Sequence, residues 1–267
     1  MSSFKDNAIT TTLAPTISIV PTPPPPEPTA SLGQKTAKDK VDLQYQPIEY
    51  YTKASFMITY ILLLTTATIT FIEAIRTNVP EIRHILNLET AVSLIAGYFY
   101  SVFLTQIEND KTKKFEWKEV TKTRYVDWAI TTPIMLLVLC IFLGKESGRE
   151  IGFREISIIW LFNYLMLGFG FLGETKLFDS MLMFFLSFAA FFAMFYYIFI
   201  KYVNVKFLYG KNFLFLVYLV LWSIYGIAYL FEDSYKNITY NILDCISKCL
   251  VGLGLWLYYT KLIKIKY

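Results

Sequence analysis

The chain has 267 residues, of which 55% are apolar, 18% aromatic and only 17% charged, whereas a soluble domain carries about 25% charge. That composition makes it a membrane protein, with room for seven crossings of about 20 apolar residues each and none for a large soluble domain. The net charge of +4 is spread over loops and termini, which excludes a nucleic-acid-binding face, and Cys140, Cys245 and Cys249 all lie in apolar runs, which excludes a disulfide framework.

Residues 1–46 hold seven of the ten prolines, among Ser, Thr and short charged stretches. No core can form there, so a disordered tail is predicted, with Pro23 to Pro26 favouring polyproline II geometry. Residues 8–20 lack the continuous apolar stretch and basic start of a secretory signal, so no cleavage is expected. Apolar runs then recur at about 50–76, 86–108, 123–144, 153–173, 178–201, 211–231 and 238–260. In lipid only a helix or a closed barrel satisfies the backbone, and these runs are too long and unbroken for barrel strands. The predicted fold is therefore an all-α membrane protein, a seven-transmembrane-helix bundle over 47–260, ending in a short basic segment, 261–267.

Basic residues in short loops orient such a bundle. With the N-terminus outside, eleven fall in the cytoplasm: Arg76, Arg83, Lys145, Arg149, Arg154, Lys201, Lys206, Lys211, Lys261, Lys264 and Lys266. Seven fall outside: Lys111, Lys113, Lys114, Lys118, Lys122, Lys176 and Lys236. The expected orientation is N-terminus and tail outside, C-terminus cytoplasmic.

Ionisable groups inside a span are costly, and each marks a candidate site with a partner to be named. Helix 3 opens with Arg124 and Asp127, three apart, and helix 7 contains Asp244 and Lys248, four apart; each pair shares a helix face. Together they are two cations and two carboxylates, neutral as a set. A buried salt-bridge network would be the plainer use, but such networks are poor stabilisers. A buried lysine also has a chemical use. Its neutral amine condenses with an aldehyde to a Schiff base, which once protonated requires counter-anions. Trp128, Trp222, Tyr225 and Tyr229 on helices 3 and 6, with Phe184, Phe188 and Phe191 on helix 5, offer aromatic walls for a long conjugated aldehyde.

The helix 3 string Arg124-Tyr125-Val126-Asp127-Trp128-Ala129-Ile130-Thr131-Thr132-Pro133 and the helix 7 pair Asp244-x-x-x-Lys248 resemble the microbial (type 1) rhodopsins, retinal-binding proteins of the bacteriorhodopsin type, over residues 50–260. Trp222-Ser223-Ile224-Tyr225, Met166 with Gly170, Ser187 and Tyr100 support the match, and the Lys, Ile, Phe and Tyr richness hints at a viral or protist member. The resemblance implies all-trans-retinal as a Schiff base on Lys248. It makes Asp127 the proton acceptor and primary counterion, and Asp244 a second counterion held by Tyr100 and Tyr225. Arg124 becomes a switchable outer cation and Thr131 a hydrogen-bond partner of Asp127. It also implies a bond from Asn163 to Thr132, green absorption from Met135 with a modest blue pull from Ser247, and a homo-oligomer, trimer or pentamer.

The departures from the family pattern matter too. Gly226 replaces the usual proline, which implies a looser ring end of the pocket. The carboxyl donor expected 11 residues after Asp127 is Val138, which implies slow reprotonation dependent on cytoplasmic pH. The outer acidic pair is not clearly kept: Ser234 and Lys236 fall near those places, with Glu232 and Asp233 close by. Glu89 on helix 2 stands level with Val138, either replacing the donor, lining a cation path, or reaching the interface near its helix start; Ala96 stands where channels carry a second glutamate. His84 sits in the first cytoplasmic joint. Asn237-Ile238-Thr239 fits a glycosylation sequon against helix 7. The first expectation is a light-driven outward proton pump moving protons across the lipid bilayer; a light-gated channel for monovalent cations and a sensory photoreceptor are the alternatives. No enzymatic activity is expected.

Overall fold

The computed structural model describes residues 47–108, 117–205 and 207–259. The proline-rich tail, Lys111, Lys113, Lys114, Lys206 and the basic segment 261–267 lie outside the described residues. Seven helices are long and apolar enough to cross a membrane. They are α1 (Pro47–Arg76), α2 (Pro80–Glu108), α3 (Trp117–Ser147), α4 (Phe153–Glu174), α5 (Ser180–Ile198, continued by a π-helical turn, Phe199–Val203), α6 (Tyr209–Ala228) and α7 (Asp233–Asp244, a π-helical segment Cys245–Leu250, then Val251–Tyr259). No strand occurs among the described residues.

The helices outrun the apolar stretches. α2 starts at Pro80, where a proline costs nothing because the first N–H of a helix has no partner anyway. His84 and Arg83, expected in a joint, are therefore inside α2. Lys211 and Lys236, expected in loops, lie within α6 and α7 and are 1% and 7% exposed. Lys211 donates its ammonium to the Tyr202 and Val203 carbonyls, at 3.2 and 3.0 Å, left open where α5 ends, and to Ser147 Oγ at 3.1 Å. Lys236 pairs with Glu174 at 3.1 Å and Asp233 at 3.5 Å. Length alone placed these lysines in water; their ammonium groups instead bind helix-end carbonyls and carboxylates.

Successive helices pack side by side, and α7 returns to α1 and closes the ring. α3 also touches α6 and the end of α5, and 67% of its apolar window is buried against 28% for α4, so α3 is the inner helix. Pro133 lies inside it. A proline has no N–H for the carbonyl four residues back, and the Tyr164 hydroxyl of α4 donates to that Ala129 carbonyl at 3.3 Å, while Trp160 Nε1 donates to the Pro133 carbonyl at 3.0 Å. Leu94, Phe185, Phe192, Phe213 and Val220 face outward, as side chains on a lipid-facing surface do.

Candidate functional site

The four charges found inside apolar runs meet at the centre of the ring. Arg124, Asp127, Asp244 and Lys248 are each at most 2% exposed. Lys248 Nζ donates to Asp244 Oδ1 at 2.7 Å, along one face of α7, and lies 3.5 Å from Asp127 Oδ2 on α3. Arg124 reaches Asp244 Oδ2 at 3.5 Å. Lys248 sits in the π-helical segment Cys245–Leu250, the kind of local widening that gathers at functional sites.

The two carboxylates are served unequally. Tyr225 donates its hydroxyl to Asp244 Oδ1 at 2.6 Å and Tyr100 donates to Oδ2 at 2.7 Å, in addition to Lys248 and Arg124. Asp127 has the lysine at one oxygen and no hydrogen-bond partner at Oδ1 among the described residues. Thr131 is bonded to Asp127, but through the main chain: its Oγ1 donates to the Asp127 carbonyl at 2.8 Å, the ordinary back-bond of a threonine inside a helix, and not to the carboxyl group.

Beyond Arg124 lies a polar set that sequence reasoning missed. Its guanidinium donates to Asn241 Oδ1 at 2.9 Å, Asn237 Oδ1 at 3.1 Å and the Tyr100 hydroxyl at 3.3 Å, and Phe103 and Phe56 face it at 4.9 and 5.3 Å. Asn241 Nδ2 in turn donates to Ser55 Oγ at 2.8 Å on α1. Asn237, the sequon asparagine, is 2% exposed and committed to Arg124. The signal was the spacing of Asn237, Asn241, Asp244 and Lys248, which puts them on one face of α7.

A cavity opens from the Lys248 amine. Its walls include Trp128, Thr132 and Met135 of α3, Met166 and Gly170 of α4, Phe184, Ser187, Phe188 and Phe191 of α5, and Trp222, Tyr225 and Gly226 of α6. Tyr229, just past the end of α6, and Asp244 and Ser247 of α7 complete the expected set. Tyr125, Leu167 and Tyr240 were not foreseen as walls. Tyr100, foreseen as one, stays off the cavity and reaches the site only through Asp244. Gly226 does not loosen the ring end: a Cβ there would stand 2.5 Å from Phe188 Cζ, because the phenyl ring fills the space. Asn163 Nδ2 donates to Thr132 Oγ1 at 2.9 Å, and Ser187 Oγ to the Met166 carbonyl at 2.9 Å, fixing α3 to α4 and α4 to α5 beside the cavity.

Glu89 is 2% exposed, well inside α2, and so does not reach the interface. Val138 and Leu139 are fully buried in the apolar cluster on the same side of the cavity.

The model of the bacteriorhodopsin-like proteins matches residues 51–262. The chain belongs to this family, the microbial rhodopsins. It is an integral multi-pass membrane protein and no enzyme, and it carries all-trans-retinal as a Schiff base to a lysine within a family capable of light-driven ion transport. The cavity fits such a pigment on its own terms, being walled by aromatic rings and open at one end to a buried amine between two carboxylates. Among solved structures, this microbial rhodopsin is similar to the viral rhodopsin OLPVRII, with 40% identity and a TM-score of 0.73 over 80% of this chain and 99% of that one. The blue light-absorbing proteorhodopsin from Med12 follows at 22% and 0.66, covering 79% of this chain and 98% of its own. The proton-pumping rhodopsin AR2 of the marine alga Acetabularia acetabulum shares 19% and 0.64, over 80% and 96%; these two likenesses speak for the fold. No protein of curated function matches.

Proposed function

We propose that this rhodopsin is an outward light-driven proton pump in which Lys248 carries the pigment and Asp127 takes its proton. The observation that carries this reading is the unequal pair of carboxylates around the Lys248 nitrogen. Asp244 is held as an anion by Tyr100, Tyr225, Arg124 and Lys248, so its oxygens are committed. Asp127 keeps one oxygen free of any donor among the described residues and is the group able to receive a proton. When bound, retinal supplies light absorption and an isomerisation that changes where the nitrogen's proton points.

Everything else is done by the chain. Arg124, tethered to Asn237 and Asn241 on the side of the expected exterior, is placed to shift toward Asp127 or away from it and so favour release outward. On the other side α3 offers no carboxyl at the level where a donor is expected, since Val138 stands 11 residues after Asp127. Glu89 is the buried carboxyl there and returns the proton to the Lys248 nitrogen. The close apolar packing around Val138 and Leu139 favours a pump over an open cation path.

Photocurrent against voltage tests the reading on wild type, Asp127→Asn and Lys248→Ala. A pump gives outward current at every ordinary voltage, lost in Asp127→Asn, while Lys248→Ala stays colourless with retinal in excess. A current that reverses sign would mean a channel, and a coloured protein with no current a sensor.

A further inference from the structure

The stripe of α2 formed by Glu89, Ser93, Ala96 and Tyr100 is buried along its whole length, none of the four being more than 2% exposed. It runs along α7. At one end Tyr100 meets Asp244; at the other Glu89 meets Gly252, which lies eight residues beyond Asp244 and four beyond Lys248 on one face of α7. A Cβ on Gly252 would stand 2.7 Å from Glu89 Oε2 and 3.7 Å from Thr66 Cγ2. The carboxyl therefore fills the room that a side chain would take. Gly254, two residues on, differs: a Cβ there would meet nothing within 4 Å.

Two other buried groups stand nearby without hydrogen-bond partners among the described residues, Ser93 Oγ and the Tyr218 hydroxyl. Ser93 is one turn from Glu89 toward the site, and Tyr218, one turn from Trp222 on α6, is within electrostatic reach of Glu89. Polar groups that the protein itself does not satisfy are served by bound water.

We propose that Gly252 is a positioning residue for proton return: the space left by its missing side chain seats the Glu89 carboxyl on the face of α7 that carries Lys248, on the side of the Lys248 nitrogen away from Arg124. This rests on the reading of Glu89 as the returning acid. The Lys248 nitrogen lies level with Asp244, eight residues before Gly252, so about two helical turns separate it from the seated carboxyl, a span that the Ser93 and Tyr218 hydroxyls bridge together with ordered water. In the transfer the Glu89 O–H bond breaks, an N–H bond forms at Lys248, and the carboxylate left behind takes a proton from the cytoplasm.

The test uses the full pigment-loaded chain and the variants Gly252→Ala, Gly254→Ala, Glu89→Gln and Gly252→Ala with Glu89→Gln. Two quantities are read: the rate at which the visible band of the protonated nitrogen recovers after a flash, and the resting infrared carboxyl band that disappears in Glu89→Gln. Gly252→Ala is expected to shift that band and to slow recovery about 10²-fold, the low end of what a placed general acid contributes, with no further slowing in the double variant. Gly254→Ala leaves both at their wild-type values and so controls for alanine in the helix. If Glu89→Gln slows recovery but Gly252→Ala changes neither rate nor band, the seat is wrong while the pump stands. If Glu89→Gln itself recovers at the wild-type rate, Glu89 is not the returning acid and the seat falls with it. Should Gly252→Ala fail to bind pigment, Gly252→Ala with the shorter Glu89→Asp decides: restored colour supports the overlap, and continued failure overturns it.

Discussion

Asn241 ties three helices to α7 with a single amide. From α7 its oxygen accepts from Arg124 of α3 and lies 2.9 Å from the Tyr100 hydroxyl of α2, and its nitrogen donates to Ser55 of α1. Leucine in its place fills a similar volume and leaves those buried groups short of partners. Each buried group stranded in this way costs about 1–3 kcal/mol, so Asn241→Leu should lower the temperature at which the pigment bleaches, and an unchanged midpoint would remove the amide from the network. The charged quartet was legible in the sequence because charge in an apolar run has no cheap explanation. Asn237 and Asn241 were not, because a neutral amide in a span is common enough to pass as packing. The burial of Glu89 was illegible for another reason: it depends on a missing side chain at Gly252, on a helix far away in sequence.

Two helix ends show the same turn closed by different residues. After α3, Arg149 N donates to the Gly144 carbonyl at 2.9 Å and Gly148 N to that of Lys145 at 3.2 Å, with Gly148 at φ +64°. After α4, Leu177 N donates to Leu172 at 3.1 Å and Lys176 N to Gly173 at 3.1 Å, with Lys176 at φ +56°. Both are the paired closing bonds of a helix whose next residue turns left-handed, a place that favours glycine. A side chain in that conformation costs about 1–2 kcal/mol. Lys176→Gly should therefore raise the bleaching temperature by the equivalent of about 1 kcal/mol without moving the absorption maximum, since Lys176 is exposed and does not line the cavity; no gain would mean that the lysine offsets the strain by contacts of its own. Helix number and order could be read from the apolar runs, but these ends could not. The runs stop where the side chains become polar, whereas the helices continue until a turn, a cap or a proline ends the hydrogen bonding. The π-helical segments at Phe199–Val203 and Cys245–Leu250 likewise leave no mark in the hydrophobic pattern.

For the whole molecule the decisive property is direction, because the proposed pump would work inward if the same ring of helices were inserted the other way up. Setting aside the buried Lys211 and Lys236, whose ammonium groups are bound inside the bundle, leaves ten basic residues on the expected cytoplasmic side and six outside. The bias keeps its sign after that correction, which supports an outside N-terminus. The native thiols make the test clean: Cys140 and Cys249 are 0% and 2% exposed, and Cys245 is half-buried with its sulfur 3.2 Å from Thr59 Oγ1. A membrane-impermeant thiol reagent should then react only with introduced cysteines. Glu232, exposed before α7, and Arg149, exposed after α3, lie at opposite ends of the bundle. In intact cells Glu232→Cys should be labelled and Arg149→Cys should be labelled only after lysis. The reverse pattern would turn the protein over, put Arg124 and its asparagines on the cytoplasmic side, and make the proposed pump run inward.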